Sequence, residues 1–388
     1  MENAHRVEED YKTATKNGFK LQNTLYAMGT PINATGISNL RKSREEYDSL
    51  STSQEEANKV IKIVKEEERS DDKVLLSSYR MNKEGNLFLT NLESSGYTNY
   101  IPTTSSLNQL VRRTSSTEAV SAAANYVSDV DSPIHLRTTV CNYYLETSNN
   151  TAIFRSRKYK DHQRELYATV SERFSTECDV DELCRIISEQ EYAAKSMSFY
   201  DGTRFRFDII YHTDIKPEDG VCGELFKAGV TVRSSDNGLS GIRISPFVIR
   251  NLCLNLIILD HAEQHNYMTH LRKNLKETVV EAIQKSLTKV QTFKEKWSSA
   301  NKIKVLENTK EETVKAYFEN LIKNGPLKNK GITKESITNF YNNWTKEPGD
   351  KLSSVVNAIT RSAHEDFMTI WKTTLLEEQA GTLLYINT

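Results

Sequence analysis

Residues 228–260, AGVTVRSSDNGLSGIRISPFVIRNLCLNLIILD, decide how this chain is read. Val230 and Val232 alternate with other residues, Ile242 and Ile244 do the same, and Asp236-Asn237-Gly238 stands between the two pairs. Asn-Gly between alternating apolar runs is a strong hairpin signal, because both residues tolerate the positive φ of a tight turn. The spacing predicts a hairpin over residues 230–244. The apolar run that follows, residues 247–259, is interrupted by Arg250, Asn251 and Asn255. It is too short and too polar to span a bilayer. It reads as a helix that starts near Phe247 and packs on the hairpin. Arg250 and Asn255, flanked by Leu252, Cys253 and Leu256, then become buried polar groups that need partners, either in a network fixing the helix to the hairpin or in a site.

Toward the N-terminus, RFRFDIIYHTD from Arg204 to Asp214 alternates cleanly. It predicts a strand with Phe205, Phe207, Ile209 and Tyr211 on one face and Arg204 and Arg206 on the other. Between Asp179 and Ala194, Leu183, Ile186, Ile187 and Ala194 recur at helical spacing. IHLRTTVCNYYLET after Pro133 reads as a further strand. Ser105 or Ser106 is expected to cap a short helix with Leu107, Leu110 and Val111, and residues 73–90 form a short hairpin around Gly85. Thr52 or Ser53 caps a helix carrying Val60, Ile61, Ile63 and Val64, with Glu55 and Glu56 in its first turn. The first 40 or so residues are polar and aperiodic and read as a flexible or accessory arm.

Toward the C-terminus, Leu271, Leu275, Val279, Ile283 and Leu287 predict nearly uninterrupted helix from His261 to about Asn324, stopped by Gly325-Pro326. A further helix starts near Thr333 and breaks at Glu347-Pro348-Gly349. The last, residues 352–381, carries an apolar stripe of Val355, Val356, Ile359, Phe367, Ile370 and Leu375 and is expected to pack on the core. The expected fold is therefore α+β: an antiparallel sheet or hairpin core with a long helical C-terminal region. Residues 1–70 form a flexible or helical N-terminal arm, 71–260 the α+β core and 261–388 a helical region packing on that core.

Three segments resemble a phage- and plasmid-encoded family, domain of unknown function 932. Gly229, Ser234-Ser235 and Asp236 to Gly238, then Arg250, Cys253 and Asn255, are similar to its glycine, "NS-x-x-G" and "R-x-x-C-x-N" elements. Leu166, Ala168, Val170, Ser171, Arg173 and Phe174 resemble its "L-x-A-x-V-S-x-R-F/Y". Asn357-Ala358-Ile359-Thr360, Ala363-His364, Leu376-Glu377 and Ala380-Gly381 resemble its C-terminal "NAIT-x-x-A-H…LE-x-x-AG". The resemblance covers roughly residues 70–388 and implies a mobile-element setting inside a bacterial host. It implies no reaction.

Composition narrows the chemistry. The chain has 388 residues, 51 basic against 52 acidic, so a globally basic nucleic-acid binder is excluded while a local basic surface is not. Apolar residues make up 37% and mean hydropathy is -0.58, which suits an elongated, helix-rich protein. Five scattered cysteines (Cys141, Cys178, Cys184, Cys222 and Cys253) without C-x-x-C argue against disulfides and zinc knuckles and for a reduced cytoplasm. MENAHRVEEDYKTATKNG has no apolar core and does not read as a secretory signal. There is no P-loop, no G-x-S-x-G and no H-E-x-x-H, and Gly220, Gly223 and Gly229 are wrongly spaced for a dinucleotide loop. His261 and His265, four apart on the expected helix, could face one ion, but Glu263 points elsewhere, and the segment also reads as a solvated helix start. His364 on a packed helix reads as a core or interface residue, and Asn357 and Glu377 as partners for buried backbone or a neighbouring helix.

The basic–aromatic runs carry the functional expectation. Phe154, Arg155, Arg157, Lys158, Tyr159, Lys160 and Arg164 form one, Arg204 to Phe207 a second, and Arg233 and Arg243 belong to the hairpin. On one exposed sheet face they would offer phosphate charge and stacking planes together. Arg155, Arg157, Lys158, Lys160, Arg204, Arg206 and Arg233 are the candidate contacts, and as exposed charges they should add little stability. The basic stretch 285–334 either extends this footprint or is a solvated helix face. The leading reading is a non-enzymatic DNA-metabolism accessory that binds single-stranded DNA, with an annealing-type protein as one form of it, without cofactor, metal or membrane. A homo-oligomer is compatible with it. The alternative is a factor that acts on a host protein, in host takeover or anti-defence, through long amphipathic helices.

Overall fold

The computed structural model describes residues 50–90, 99–160, 163–174, 179–189, 193–217, 225–250, 255–259, 266–268, 274–325, 327–328, 332, 335–363 and 370–388. Helix α1 (Ser53–Glu66) opens this part of the chain. The Thr52 hydroxyl accepts the Glu55 N–H and the Glu55 carboxylate accepts the Thr52 N–H at 2.9 Å, closing a capping box. The first four strands follow: β1 (Ser70–Leu75), β2 (Tyr79–Met81), β3 (Leu87–Leu89) and β4 (Asn99–Pro102). Gly85, at φ +85°, turns β2 into β3, as its position predicts. Helices α2 (Thr104–Thr114), α3 (Glu118–Ser128) and α4 (Ile134–Glu146) come next, then β5 (Thr151–Lys160) and β6 (Gln163–Val170).

These six strands form one sheet in the order β1-β5-β6-β4-β3-β2, antiparallel except for β4 against β6. Its two edge strands, β1 and β2, are joined by only Leu76–Ser78. Such a link reaches at most roughly 14 Å from Leu75 to Tyr79, so the sheet rolls until its edges approach. Tyr79 of β2 accordingly meets Phe154 of β5 at 4.9 Å and Tyr100 of β4 at 6.1 Å between ring centroids. Leu107, Leu110, Val120, Val127 and Leu145 of the three helices complete this core.

The second sheet follows helix α5 (Val180–Ser188). Strands β7 (Ala193–Tyr200), β8 (Arg204–Ile215), β9 (Phe226–Ser235), β10 (Ile242–Arg250) and β11 (Leu256–Ile258) lie in the order β11-β10-β9-β8-β7, and β12 (Asn266–Met268) also pairs with β10. The hairpin predicted from Asn237-Gly238 is β9–β10, with Gly238 at φ +68°. Phe205, Phe207, Ile209, Val230, Val232 and Ile244 fill one face, beneath α1, α5 and helix α6 (Leu275–Lys289). A third core joins Phe226, Val248 and Ile257 at one end of this sheet to helices α7 (Phe293–Ala300), α8 (Glu311–Lys323), α9 (Glu335–Trp344), α10 (Leu352–Ser362) and α11 (Ile370–Asn387). The architecture is α+β with antiparallel sheets and a helical C-terminal region, as expected. Helix α1, assigned by sequence to the arm, instead buries Ala57, Val60 and Val64 against the second sheet. Among the described residues no helix is long and apolar enough to cross a membrane.

Several local expectations are corrected. The helix predicted from Phe247 is the continuation of β10, followed by β11. Both faces of this strand are buried, and a strand covered on both sides shows a continuous apolar run that periodicity cannot tell from a helix. The strand predicted after Pro133 is α4, with Pro133 as its N-cap residue, where its missing N–H costs nothing. Its β-branched and aromatic residues suggest a strand, but tertiary packing of Cys141 and Leu145 overrides that propensity. The α2 cap is Thr103, whose hydroxyl accepts the Ser106 N–H at 3.2 Å, rather than Ser105 or Ser106. The helix read from Asp179 to Ala194 ends at Ser188, and Ala194 belongs to β7. The long helix from His261 is divided: β12 precedes α6, a 3-10 turn at Val290–Thr292 joins α6 to α7, and 303–310 is not helical. The final helix is two, α10 and α11.

Gly229 explains one signature position. A Cβ there would lie 2.1 Å from the Phe247 ring, on the paired residue of β10. Gly229→Ala is expected to destabilise the fold by about 1–3 kcal/mol through overpacking. A urea midpoint equal to wild type would contradict this.

Candidate functional site

Asp236 and Asn237 of the turn are buried at the seam between the two sheets, while Gly238 and Leu239 beside them reach the surface. Ser235 closes it: its hydroxyl accepts the Ser240 N–H and donates to the Ser240 carbonyl, both at 3.0 Å. Asp236 ion-pairs with Arg69 and accepts the Val180 N–H at 3.1 Å, which caps α5 from outside that helix. Gln109 of α2 donates to the Asn237 carbonyl at 2.5 Å and accepts the Thr169 N–H at 2.9 Å.

Arg155 and Arg157 of β5 point into the same seam. Arg155 donates to Asp71 at 2.9 Å, to the Asp236 carbonyl at 3.0 Å and to Asp179 at 2.7 Å. Arg157 donates to Glu165 at 2.5 Å, to Glu67 at 3.2 Å and to the Gly202 carbonyl at 3.0 Å. The guanidiniums of Arg69 and Arg157 lie over the Tyr167 ring at 5.4 and 5.6 Å. Burial opposes charge on Arg155 and Arg157, but the surrounding carboxylates outweigh it and raise both guanidiniums above their usual values. Burial also pushes the Asp179 carboxyl up to about 7, with Arg155 opposing and Asp236 and Asp71 adding to the rise.

A second ionic centre lies on the other face of the second sheet. Arg206, Arg233 and Arg243 are directly paired across β8, β9 and β10 and form one row. Helix α11 covers it: Arg206 pairs with Asp208 at 2.8 Å and Glu377 at 2.7 Å, and Arg233 and Arg243 both pair with Glu378. Thr374 accepts a further Arg206 hydrogen bond at 2.5 Å. Arg204 pairs with Asp201 at 2.9 Å and stacks on Trp371 at 4.5 Å. The alternation read from RFRF is thus present, with arginines opposite phenylalanines, but the charged face meets a helix and not solvent.

The seven candidate contacts therefore do not share one exposed face. Arg155, Arg157 and Arg206 are buried, and Arg233 is nearly so, each matched by carboxylates. Lys158 is exposed and pairs with Glu68 at 2.7 Å, Arg204 is about half exposed, and Lys160 ends β5. The expectation that such residues add little stability is corrected for the four buried ones. The pattern fails because sequence alternation assigns a face without showing what covers it.

Arg250, Asn255, Asn357 and Glu377 face inward. Arg250 forms a two-pronged bond to Glu347 at 2.7 and 2.8 Å, and Arg361 of α10 joins it at 3.1 Å. The Arg250 N–H reaches the Asn255 carbonyl at 3.0 Å across the β10–β11 turn. The Arg–Asn contact fixes two strands, not a helix to a hairpin. Asn255, Asn357 and Glu377 are buried, and Glu377 belongs to the Arg206 centre. His364, Phe367, Cys253, Cys178 and Cys222 lie outside the described residues, as does the pair His261 and His265. Among the described residues no cluster of His, Cys, Asp or Glu is arranged to hold a metal. Cys141 and Cys184 are buried, and burial pushes both thiols up, Cys141 to about 12, which leaves neither a nucleophile at neutral pH.

A cationic stripe lies elsewhere. Residues 285–334 hold twelve lysines and five acidic residues, in a chain with net charge -1. Lys285, Lys289 and Lys296 recur at four and seven residues along α6, the 3-10 turn and α7, so they share a face. Lys296 lies 5.5 Å from the Tyr385 ring centroid, and Tyr385 meets the Thr292 hydroxyl at 2.9 Å. Burial, and then the neighbouring Lys285, hold the Lys289 ammonium below its usual value. Farther along, Lys315 lies over Tyr341 at 4.9 Å.

Sequence reading missed Arg69, Glu67, Tyr167, Asp208 and Glu378. Asp208 had a signal, since it sits two residues after Arg206 and shares its face. The others are brought in by tertiary contacts with no local pattern. No protein-family model matches the chain, and neither the curated proteins nor the solved structures provide a match.

Proposed function

We propose that this is a non-catalytic accessory protein of phage or plasmid DNA metabolism that binds single-stranded DNA in the cytoplasm of its bacterial host. The observation that carries the reading is the lysine excess of residues 285–334 in a chain that is otherwise acidic, with Lys285, Lys289 and Lys296 on one face of α6–α7 beside a partly exposed tyrosine. Lysines would neutralise phosphates and Tyr385 would offer a ring to a base, the combination used in sequence-tolerant single-strand binding. The resemblance to domain of unknown function 932 supports the genetic setting. The buried arginines of the two ionic centres serve the fold in this reading.

The test is fluorescence anisotropy of a labelled oligothymidine against salt. Binding should weaken with a slope of about -0.7 per phosphate contacted. The triple variant Lys285→Ala, Lys289→Ala, Lys296→Ala should lower affinity and flatten the slope by about 2, since three contacts are removed. Absence of wild-type binding at about 50 mM salt, where non-specific electrostatic association is favoured, would end the DNA reading.

One observation favours action on a host protein instead. Ile134, Leu136 and Tyr143 of α4 are exposed, Tyr143 by 63%. Failure of the oligonucleotide assay, together with a host-protein complex lost in Leu136→Asp, Tyr143→Asp, would establish that alternative.

A further inference from the structure

We propose that the ionic seam between the two sheets is a proton-operated latch, closed when Asp179 carries a proton and loosened when it is ionised. The argument begins with charge matching. Three guanidiniums, Arg69, Arg155 and Arg157, meet five carboxylates, Glu67, Asp71, Glu165, Asp179 and Asp236, in a largely water-excluded region. Buried charge without a matching partner is costly, so such a cluster takes up protons rather than hold two surplus negative charges. The other four carboxylates are placed differently. Glu67 and Glu165 hold Arg157, Asp236 holds Arg69 and the α5 terminus, and Asp71 is the most exposed of the five.

Asp179 differs in geometry. One oxygen accepts Arg155 at 2.7 Å while the other is buried with no hydrogen-bond partner. It stands at the N-cap position of α5 yet forms no cap bond, while Asp236 accepts the Val180 N–H. The buried Tyr167 hydroxyl, also without a partner, sits within the field of Arg69, Arg155, Asp236 and Asp71. Among the described residues, Arg155 on β5, Asp236 in the hairpin turn and Asp71 on β1 act on Asp179, and the wider seam adds Glu67 after α1, Arg157 on β5, Glu165 and Tyr167 on β6, Tyr200 on β7, and Asp181, Glu182, Cys184 and Arg185 on α5 itself. Asp72 is engaged by the Tyr100 hydroxyl at 2.8 Å, and Glu68 by Lys158.

The sign follows from proton linkage. The folded carboxyl titrates near 7, above the ordinary aspartate value of about 3.9. Between these values the folded protein keeps a proton that the unfolded chain has lost, so stability falls as pH rises through this window and levels off above it. Hydrogen–deuterium exchange of the full-length protein, corrected for intrinsic exchange rates, reads the seam directly in peptides spanning 179–189 and 231–242. From pH 5.5 to 7.5, wild-type protection there is expected to fall several-fold per pH unit, approaching the tenfold of a single linked proton. Asp179→Asn mimics the protonated form and should keep protection high and level at pH 7.5. Asp236→Asn, which removes the partner of Arg69, should lower protection at every pH. Level wild-type protection across the window, or an Asp179→Asn protein that follows the wild-type pH profile, overturns the latch.

Discussion

Ending the chain at Asp350 is expected to leave no folded protein. The deletion removes α10 and α11, whose Leu352, Val355, Val356, Ile359, Leu376, Leu383 and Leu384 are essentially inaccessible to solvent. Burial of such side chains is worth roughly 1.5–3 kcal/mol each, so these seven alone contribute roughly as much as the entire stability of a typical domain, about 5–15 kcal/mol. The loss is also electrostatic, because Arg206, Arg233 and Arg243 keep their charges while Glu377 and Glu378 disappear. No local repair is available: α11 sits so close to β11 that a Cβ on Gly381 would fall 1.8 Å from the Ile258 carbonyl oxygen. Circular dichroism during heating reads the result, and a soluble truncate with a cooperative transition would disprove it.

The second large effect belongs to Arg206→Ala. This residue is fully buried between Asp208, also fully buried, and Glu377. Removing one member of a buried ion pair costs about 3–5 kcal/mol, because the charge left behind has no solvent and no partner. Here two carboxylates are left behind. The cost should shrink but persist in the double variant Arg206→Met, Asp208→Leu, since one of the two stranded carboxylates is removed while Glu377 keeps its buried position. Urea denaturation of the three proteins gives the comparison. An Arg206→Ala midpoint close to wild type would show that the centre is hydrated and that its burial has been misjudged.

How far the sequence discloses this molecule depends on the range of the interactions involved. The β9–β10 hairpin was legible because Asn237-Gly238 needs only its own turn geometry. The α1 cap was legible for the same reason, as Thr52 and Glu55 are neighbours in the chain. The continuation of β10 through Phe247 and Val248 was not, because a strand buried on both faces lacks the alternation that marks one. The site was less legible still. Alternation placed Arg204 and Arg206 opposite Phe205 and Phe207, but Glu377, some 170 residues away, decides that Arg206 is internal. The charge excess of residues 285–334 was visible from composition, whereas the Lys296–Tyr385 contact requires α7 and α11 to be adjacent.

The short link Leu76–Ser78 has a bearing on how the chain acquires its shape. Strand β1 finds its partner only in β5, about eighty residues later, and β4 waits for β6. Pairings so distant in sequence must close long loops before they gain any contacts, which makes them slow. During synthesis the β2–β3 hairpin, its pairing to β4 and helices α2 to α4 can form from local contacts, while β1 and the β6-facing edge of β4 stay unpaired until residue 170 has emerged. A chain interrupted in that interval displays unpaired strand edges, the feature that draws partly folded proteins into aggregates. Once β5 and β6 arrive, the same link draws the two edges of the sheet together, and the interval of vulnerability closes with the roll itself.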